Sequence, residues 1–317
     1  MERTSFAEKL VIRFFSKYSF SNLVGYILLV LTIFTGYTCV ADNIVVCPTC
    51  NTISIKEAIS MAKNGDTLFV KEGNYTEGNI FINKSITLIG INRPVINGEN
   101  RNIEIITIAA DSVTLDGFVV KNVGVSYIKD LAGIRVQRKK HFVISNNILI
   151  NTMFGIYLEK ASNGTVSDNE ITGDAIEEVS SGNGIHAWYC EGLQIINNSV
   201  SKHRDGIYLE FVKSSNITGN TSFDNLRYGL HFMFSNNDDY ENNLFENNGA
   251  GVAVMFSKNI NMYRNTFKNN WGSSSYGLLL KEIYDAQIEE NNFYGNTTGI
   301  KVDGSTRILY QFNSFEN

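Results

Sequence analysis

An internal repeat constrains the fold of this chain more than any other feature of its 317 residues. A glycine followed by an aliphatic, a variable and an apolar residue recurs eight times, and an asparagine follows each glycine by fourteen residues. The glycines are Gly133, Gly155, Gly184, Gly206, Gly229, Gly251, Gly277 and Gly299. The asparagines are Asn147, Asn169, Asn198, Asn220, Asn243, Asn265, Asn291 and Asn313. Since the glycine spacing is 22, 29, 22, 23, 22, 26 and 22 residues, the two large insertions fall between an asparagine and the next glycine, near residues 172–182 and 271–275.

The pattern inside each repeat indicates the fold class. The residues one and three positions after each glycine are apolar, whereas the residue between them varies, which is typical of a short strand with one buried face. Two further apolar columns lie eleven residues after each glycine and two residues after each asparagine. Three short strands per coil of about 22 residues, each stacked on its counterpart in the next coil, predict an all-β fold. The predicted architecture is a right-handed, single-stranded parallel β-helix.

The asparagine column predicts a turn in every coil. Asparagine tolerates the left-handed backbone conformation and can stack its amides from coil to coil. A leucine-rich horseshoe has a similar period, but these columns are not leucine-rich and no helical stretch fits the back of each repeat. We therefore favour the β-helix.

Three regions follow along the chain. Residues 1–41 contain eighteen uncharged residues at 23–40 after a basic segment, which predicts a Sec-type signal peptide or an uncleaved membrane anchor, and so export to the periplasm. Residues 42–132 contain SIKEAISMAKNGDTLFV (54–70), which predicts a capping helix with Met61 in the core, followed by a strand and less regular coils. Residues 133–317 hold the regular repeats and end partway through a coil, so we expect a truncated product or a fragment.

Charge and cysteine content limit the choice of partners. The formal net charge is −5 and the pI is about 5.5, which gives no support for nucleic-acid binding. Cys47 and Cys50 form the motif CPTC directly after the hydrophobic run. In an exported protein such a pair can be a local disulfide, a redox pair or half of a metal site, and the sequence leaves these alternatives open.

Strand direction places soft ligands on the outside of the β-helix. Residues two and four positions after a glycine point outward, which applies to His186, His231, Met233 and Met255. Met233 and Met255 occupy the same position in adjacent coils, about 5 Å apart. Thioether and imidazole groups suit Cu(I), so these four residues form a candidate metal patch, with Cys47 and Cys50 as a weaker one. The alternative is that the four side chains pack under the insertion at 172–182 or against a protein partner.

Charged residues near the first insertion support a second interpretation. They are Glu159, Asp174, Glu177, Glu178, Arg204, Asp205, Glu210 and Arg227. Paired carboxylates beside a basic residue on a β-helix are compatible with a polysaccharide-binding protein, lyase or hydrolase. A structural, adhesin-like β-helix without ligands is a third interpretation. The chain contains no P-loop, GxSxG or HExxH motif, so it lacks those sites for ATP or for hydrolysis.

Several consecutive phrases resemble one family closely. They are GNGIHAW (182–188), RDGIYLE (204–210), LRYGLHFMFSN (226–236), GAGVAVMFS (249–257), GLLLKEI (277–283) and NTTGIKVDG (296–304). In order and spacing they resemble NosD, the periplasmic β-helix family of nitrous oxide reductase maturation, over residues 174–313.

The resemblance implies a role and a set of partners. NosD-like proteins are accessory proteins, not enzymes, and take part in copper delivery with an ABC-type ATPase and a membrane permease. A copper chaperone and nitrous oxide reductase are the further implied partners, Cu(I) is the implied transient cofactor, and a homodimer stays open. The resemblance makes His186, His231, Met233 and Met255 a sensible place for Cu(I), although the motif itself does not assign them that role.

Overall fold

The computed structural model describes residues 42–316. The predicted signal peptide or anchor therefore lies outside the described residues. Within them the chain winds into about 12 turns of a right-handed parallel β-helix with coils of about 23 residues, which confirms the predicted fold class. Every strand pairs in parallel with its counterparts in the neighbouring coils, and three long sheets result. No helix among residues 42–316 is long and apolar enough to cross a membrane.

Sheet 1 contains the glycine motif and has ten strands. Its strands are β4 (Ile80–Ile82), β7 (Ile106–Ile108), β10 (Ala132–Gln137), β13 (Phe154–Glu159), β16 (Asn183–Trp188), β19 (Asp205–Glu210), β22 (Tyr228–Met233), β25 (Ala250–Met255), β28 (Leu278–Lys281) and β31 (Ile300–Asp303).

Sheet 2 follows sheet 1 in each coil and has twelve strands. Its strands are β1 (Asn43–Val46), β2 (Thr67–Lys71), β5 (Thr87–Ile91), β8 (Thr114–Asp116), β11 (Val143–Ser145), β14 (Thr165–Ser167), β17 (Gln194–Ile196), β20 (Asn216–Thr218), β23 (Asn236–Glu241), β26 (Lys258–Tyr263), β29 (Tyr284–Glu289) and β32 (Thr306–Gln311).

Sheet 3 follows the asparagine column and has eleven strands. Its strands are β3 (Asn74–Tyr75), β6 (Val95–Asn97), β9 (Val119–Lys121), β12 (Ile148–Ile150), β15 (Glu170–Thr172), β18 (Ser199–Ser201), β21 (Thr221–Phe223), β24 (Leu244–Glu246), β27 (Thr266–Lys268), β30 (Asn292–Tyr294) and β33 (Ser314–Glu316).

The predicted inward columns stack directly on one another. Ile134, Ile156, Ile185, Ile207 and Leu230 are consecutive Cα partners in sheet 1, and all five side chains are fully buried. Met262, predicted to lie in the core, is fully buried as well. The register follows from the glycine spacing, because a slip by one residue would turn each apolar side chain outward.

The asparagine column forms a continuous buried ladder. In all seven steps from Asn147 to Asn313 the side-chain amide donates to the next side-chain carbonyl across 2.9–3.1 Å. The left-handed backbone lies one residue earlier than predicted, for example at Asn146 (φ 52°) and Asn242 (φ 55°). The side-chain amides of the ladder residues therefore form hydrogen bonds within the core, and the residue before each of them adopts the left-handed conformation of the turn.

A second amide ladder lies five residues after the first. Asn225, Asn248, Asn270 and Asn296 repeat the same amide-to-amide bonds across 2.9–3.3 Å. In the preceding coil His203 occupies this column, and its backbone N–H donates to Asn225. Burial lowers the pKa of His203 to about 4, so this histidine is a neutral part of the core.

One helix, α1 (Ile55–Met61), covers the N-terminal end of the β-helix, as predicted. Glu77 accepts the backbone N–H groups of Ile55 and Lys56 at its start, and the Lys84 ammonium donates to three carbonyls at its end. The prediction that Met61 is a core residue is wrong, because its side chain is 52% exposed. Met61 is the last residue of a seven-residue helix whose buried face is formed by Ile55, Ala58 and Ile59.

Candidate functional site

The outer face of sheet 1 carries a row of stacked side chains, two residues after the repeat glycines. This ring row runs through neighbouring coils from Arg135 through Tyr157, His186 and Tyr208 to His231. The Arg135 guanidinium lies 4.2 Å from the Tyr157 ring centroid, and successive ring centroids are 4.5, 4.9 and 4.8 Å apart. His186 and His231 are only 8% and 5% exposed. These side chains point away from the core and are still shielded from solvent.

Two tyrosines cover the C-terminal end of the ring row. The Tyr228 ring centroid lies 4.8 Å from that of His231, and the Tyr276 hydroxyl donates to the Tyr228 hydroxyl across 3.4 Å. Tyr276 follows the second insertion and packs in an apolar cluster with Ala250, Ala253 and Leu279, separate from the main core. His186 and His231 thus point outward but are not solvated, because rings from neighbouring coils cover both and Tyr228 and Tyr276 cover the side of His231.

A buried carboxylate lies beside His231. Asp205 is fully buried and accepts from the Arg227 Nε and Nη2 atoms across 2.9 and 2.5 Å. Burial favours the neutral acid, but contacts with His231 and Arg227 outweigh it and hold the pKa of Asp205 below that of a free aspartate. The Nδ1 atom of His231 lies 3.6 Å from the Asp205 carboxylate and 3.5 Å from Arg227 Nη2. The guanidinium of Arg227 compensates the charge of Asp205, as a buried carboxylate requires.

His186 belongs to a neighbouring network. Its Nδ1 atom lies 3.2 Å from the Asn183 side-chain amide, whose carbonyl accepts from Arg204 across 3.2 Å. Burial and, next, the nearby Arg204 charge lower the pKa of His186 to about 3, so this ring is neutral at pH 7. The Nε2 atoms of His186 and His231 are both buried without a hydrogen-bond partner. Buried polar atoms without partners are rare and mark sites where a ligand can bind.

The two methionines lie next to the ring row. Met233 and Met255 are Cα partners in β22 and β25, and each is partly exposed. The Tyr208 hydroxyl donates to the Met233 sulfur across 3.7 Å. Met255 packs against the apolar cluster that contains Tyr276. The structure therefore brings His231, Met233 and Met255 together on two adjacent coils, whereas His186 lies two coils away from His231.

An aromatic edge borders the methionines and was missed in the sequence analysis. Tyr189, Phe211, Phe234 and Phe256 stack with ring centroids 4.4, 5.0 and 5.2 Å apart. All four have left-handed backbones, with φ between 52° and 55°, which is uncommon for aromatic residues. The column five residues after each glycine would have revealed this edge. Because the rings face each other, their edges point to solvent and provide an apolar border beside Met233 and Met255.

The weaker candidate metal site, the cysteine pair near the N-terminal end of the β-helix, is oxidised. Cys47 and Cys50 form a disulfide, which was one of the alternatives left open by the sequence. The oxidised pair offers no thiolate and so is not a soft metal site as it stands. Among residues 42–316 no group of three His, Cys, Asp or Glu side chains is placed to hold a metal ion.

The charged residues that suggested polysaccharide chemistry are divided among separate places. Glu159 pairs with Arg135, Asp174 lines a cleft with His203, and Glu178 lines another cleft with Arg227. Asp205 is buried in its ion pair with Arg227. Glu159 shares its cleft with two further carboxylates, Glu104 and Asp130, and Arg135 pairs with both Glu104 and Glu159.

The fold and this face together define a class of protein. It is a parallel β-helix whose outer face carries a buried histidine–carboxylate network beside two thioethers. Residues 167–317 match the family described as "Periplasmic copper-binding protein (NosD)". The matched segment is NosD-like, and it contains His186, His231, Met233 and Met255. The resemblance that the motifs indicate is confirmed.

Other similarities are more distant. A cell surface glycoprotein of Methanothermus fervidus is 34% identical over 99 residues, which are 31% of this chain and 15% of that protein. The chain thus spans about 15% of the length of this curated relative.

Several solved structures share the fold. The A-module of the Azotobacter vinelandii mannuronan C-5 epimerase AlgE6 is 14% identical, with 82% of this chain and 91% of that chain covered and a TM-score of 0.54. Pectate lyase Pel9A is 17% identical, with 84% and 79% covered and a TM-score of 0.55. Tailspike protein 2 of the Escherichia coli O157:H7 bacteriophage CAB120 is 13% identical, with 83% and 41% covered and a TM-score of 0.59. Identities this low support the fold alone.

Proposed function

We propose that this chain is an exported accessory protein that binds copper during nitrous oxide reductase maturation, and that it is not an enzyme. In this proposal His231, Met233 and Met255 hold Cu(I) transiently. An ABC-type ATPase, a membrane permease, a copper chaperone and nitrous oxide reductase are its proposed partners. The family description supports a periplasmic location, and the cell-surface relative is compatible with export.

The unpartnered Nε2 atom of His231 beside two thioethers is the observation that carries the proposal. Thioethers and imidazole are neutral, soft or intermediate donors, which suit Cu(I) better than Zn²⁺ or Ca²⁺. Asp205 lies behind the other nitrogen of His231, where carboxylates commonly orient metal-binding histidines. Arg227 and Arg204 compensate the charge of Asp205, so the three donors offer no negative charge that would attract a divalent ion.

Competition with a chromogenic Cu(I) chelator, bicinchoninate, tests the proposal. The full chain should carry Cys39→Ser, Cys47→Ser and Cys50→Ser, because reduced cysteines would themselves bind Cu(I) under the reducing conditions of the assay. Burial raises the pKa of Cys190 to about 12, so that thiol stays protonated. We expect one Cu(I) per chain, and a loss of roughly tenfold or more in affinity for Met233→Leu or Met255→Leu.

Met61→Leu is the matched control. Met61 is a thioether in the capping helix, 52% exposed and at the opposite end of sheet 1 from β22 and β25, so its removal should leave the Cu(I) affinity unchanged. Equal affinity of the double variant Met233→Leu/Met255→Leu and the parent chain would refute the proposed site. Loss of affinity in Met61→Leu as well would show that binding to methionine is unspecific.

A further inference from the structure

We propose that Arg227 holds His231 in the tautomer that cannot bind a metal, and that Asp205 stabilises the competent one. The inference rests on the proposed function, since it concerns regulation of the same histidine. Arg227 and Asp205 are thus positioning residues with opposite effects on a single ring.

The contacts of His231 Nδ1 carry the argument. This atom lies 3.5 Å from Arg227 Nη2, in hydrogen-bonding geometry, and 3.6 Å from Asp205 Oδ2. A guanidinium only donates, so in the contact with Arg227 the Nδ1 atom accepts and the ring proton is on Nε2. An ionised carboxylate only accepts, so in a bond to Asp205 the proton is on Nδ1 and the Nε2 lone pair is free for a metal. Because the two distances are nearly equal, Arg227 and Asp205 compete for the Nδ1 atom of His231, and each favours a different tautomer.

The Arg227 side chain has room to move away from His231. Its side chain is 32% exposed, whereas that of Asp205 is fully buried. Arg227 lines a cleft of about 320 Å³ that lies between the two insertions, with Glu178 on one side and Trp271 on the other. A shift of the guanidinium toward this cleft would break its contact with His231 and leave Asp205 as the partner of Nδ1. Arg204, 3.9 Å from Asp205, would still balance the carboxylate charge.

His186, in contrast, is held in a single tautomer. The Asn183 carbonyl accepts from Arg204, so the Asn183 amide NH₂ group faces His186 Nδ1 and donates to it. The proton of His186 is therefore on Nε2. The ion pairs found among residues 42–316 include none between His186 and a carboxylate that could reverse this state. His186 is accordingly held in the tautomer whose Nε2 atom carries a proton and has no lone pair for Cu(I).

The tautomers can be measured without copper. The chain has only four histidines, so ¹⁵N-histidine labelling of the full chain gives a simple long-range ¹H–¹⁵N spectrum. His186→Gln and His231→Gln assign the two rings. We expect both rings to be protonated on Nε2 in the wild type, and His231 to change to Nδ1 protonation in Arg227→Met. Nδ1 protonation of His231 in the wild type, or no change in Arg227→Met, would overturn the proposal.

Copper affinity gives a second test, because the two substitutions should change it in opposite directions. Arg227→Met removes the competing donor, so Cu(I) binding by the bicinchoninate assay should tighten by roughly 3- to 10-fold. Asp205→Asn presents an amide donor to Nδ1, so binding should weaken by about 10- to 100-fold. A purely structural ion pair would weaken binding in both variants, and that result would refute the inference. Asp239→Asn, an acid-to-amide change on the outer face of sheet 2, is the matched control.

The two proposals fail in different ways. If the wild type binds no Cu(I), the proposed function falls, while the tautomer spectra still decide whether Arg227 and Asp205 set the state of His231. If the wild type binds Cu(I) and the tautomer of His231 ignores both substitutions, only the regulatory inference falls. Circular dichroism of each variant checks that the β-helix is retained.

Discussion

Replacing one asparagine of the first ladder with alanine should destabilise the protein more than replacing an exposed asparagine does. The Asn220 side chain donates to the Ile195 carbonyl across 2.9 Å and to Asn243 Oδ1 across 3.0 Å. It also accepts from the backbone N–H and the side-chain amide of Asn198 across 2.9 and 3.0 Å. It makes a fifth bond, to the Thr218 carbonyl across 3.2 Å, and Asn220→Ala removes all five from a fully buried position.

The magnitude follows from what the neighbours of Asn220 retain. The Asn198 side-chain amide still donates to Val166, and Asn243 Oδ1 still accepts from the Asn220 backbone N–H. The Asn198 backbone N–H is left buried and unpaired, which costs roughly 1–3 kcal/mol, and the other lost bonds add about 1 kcal/mol each. With four other bonds lost, the sum is about 5–7 kcal/mol, which corresponds to a drop in melting temperature on the order of 10–20 °C.

Thermal unfolding followed by circular dichroism measures this effect. Asn216→Ala is the control, because Asn216 lies in the same coil with an outward side chain that makes one bond of 3.3 Å to Gln194. Its melting temperature should fall by no more than about 2–3 °C. Hydrogen exchange should rise mainly in the coils next to Asn220, since each coil contacts only its neighbours. Equal melting temperatures of Asn220→Ala and Asn216→Ala would refute the reasoning.

Two further substitutions probe buried charge and the cap. Burial raises the pKa of Asp238 to about 7. Between about pH 4 and 7 the carboxyl is therefore protonated in the folded protein and ionised in the unfolded chain, and stability falls as the pH rises through this window. Asp238→Asn should match the wild type near pH 4 and be more stable by roughly 2–4 kcal/mol at pH 8, and a pH-independent difference would contradict this. Lys84→Met removes bonds of 2.8, 2.8 and 2.6 Å to the last carbonyls of α1, which should cost about 1–2 kcal/mol. Faster hydrogen exchange confined to the cap would support this, and unchanged exchange there would argue against it.

The repeat made the fold and the strand register predictable. Once Ile134 and Ile156 share a column, parallel pairing of successive coils follows from the spacing alone, and the direction of every side chain follows from the pleat. The second amide ladder was equally visible as a column but was not recognised. Asn248 and Asn270 lie five residues after ladder asparagines, in a region where asparagine is common enough to pass as turn residues.

Burial on the outer face was not predictable from the columns. Direction says that His231 points away from the core, but its cover comes from Tyr228 in the same strand and from Tyr276, which is 45 residues away in sequence. Residues in or next to an insertion do not belong to a repeat column, so the repeat does not predict which coil their side chains pack against. The pairing of Asp205 with Arg227 was missed for a related reason, because it joins neighbouring coils through residues that precede the glycine motif.

The division between inward and outward columns explains how a solenoid can carry a site without weakening its core. The ladders and inward columns continue through coils that lack the candidate ligands, and they do not include His231, Met233 or Met255. The aromatic edge, in contrast, is confined to four coils, and at its two ends the same position is occupied by Lys160 and Glu282. This edge lies beside the same coils that contain the ring row and the methionines. Exposed apolar surface that is bounded by charged residues and adjacent to unpartnered polar atoms is the mark of a local site and not of general packing.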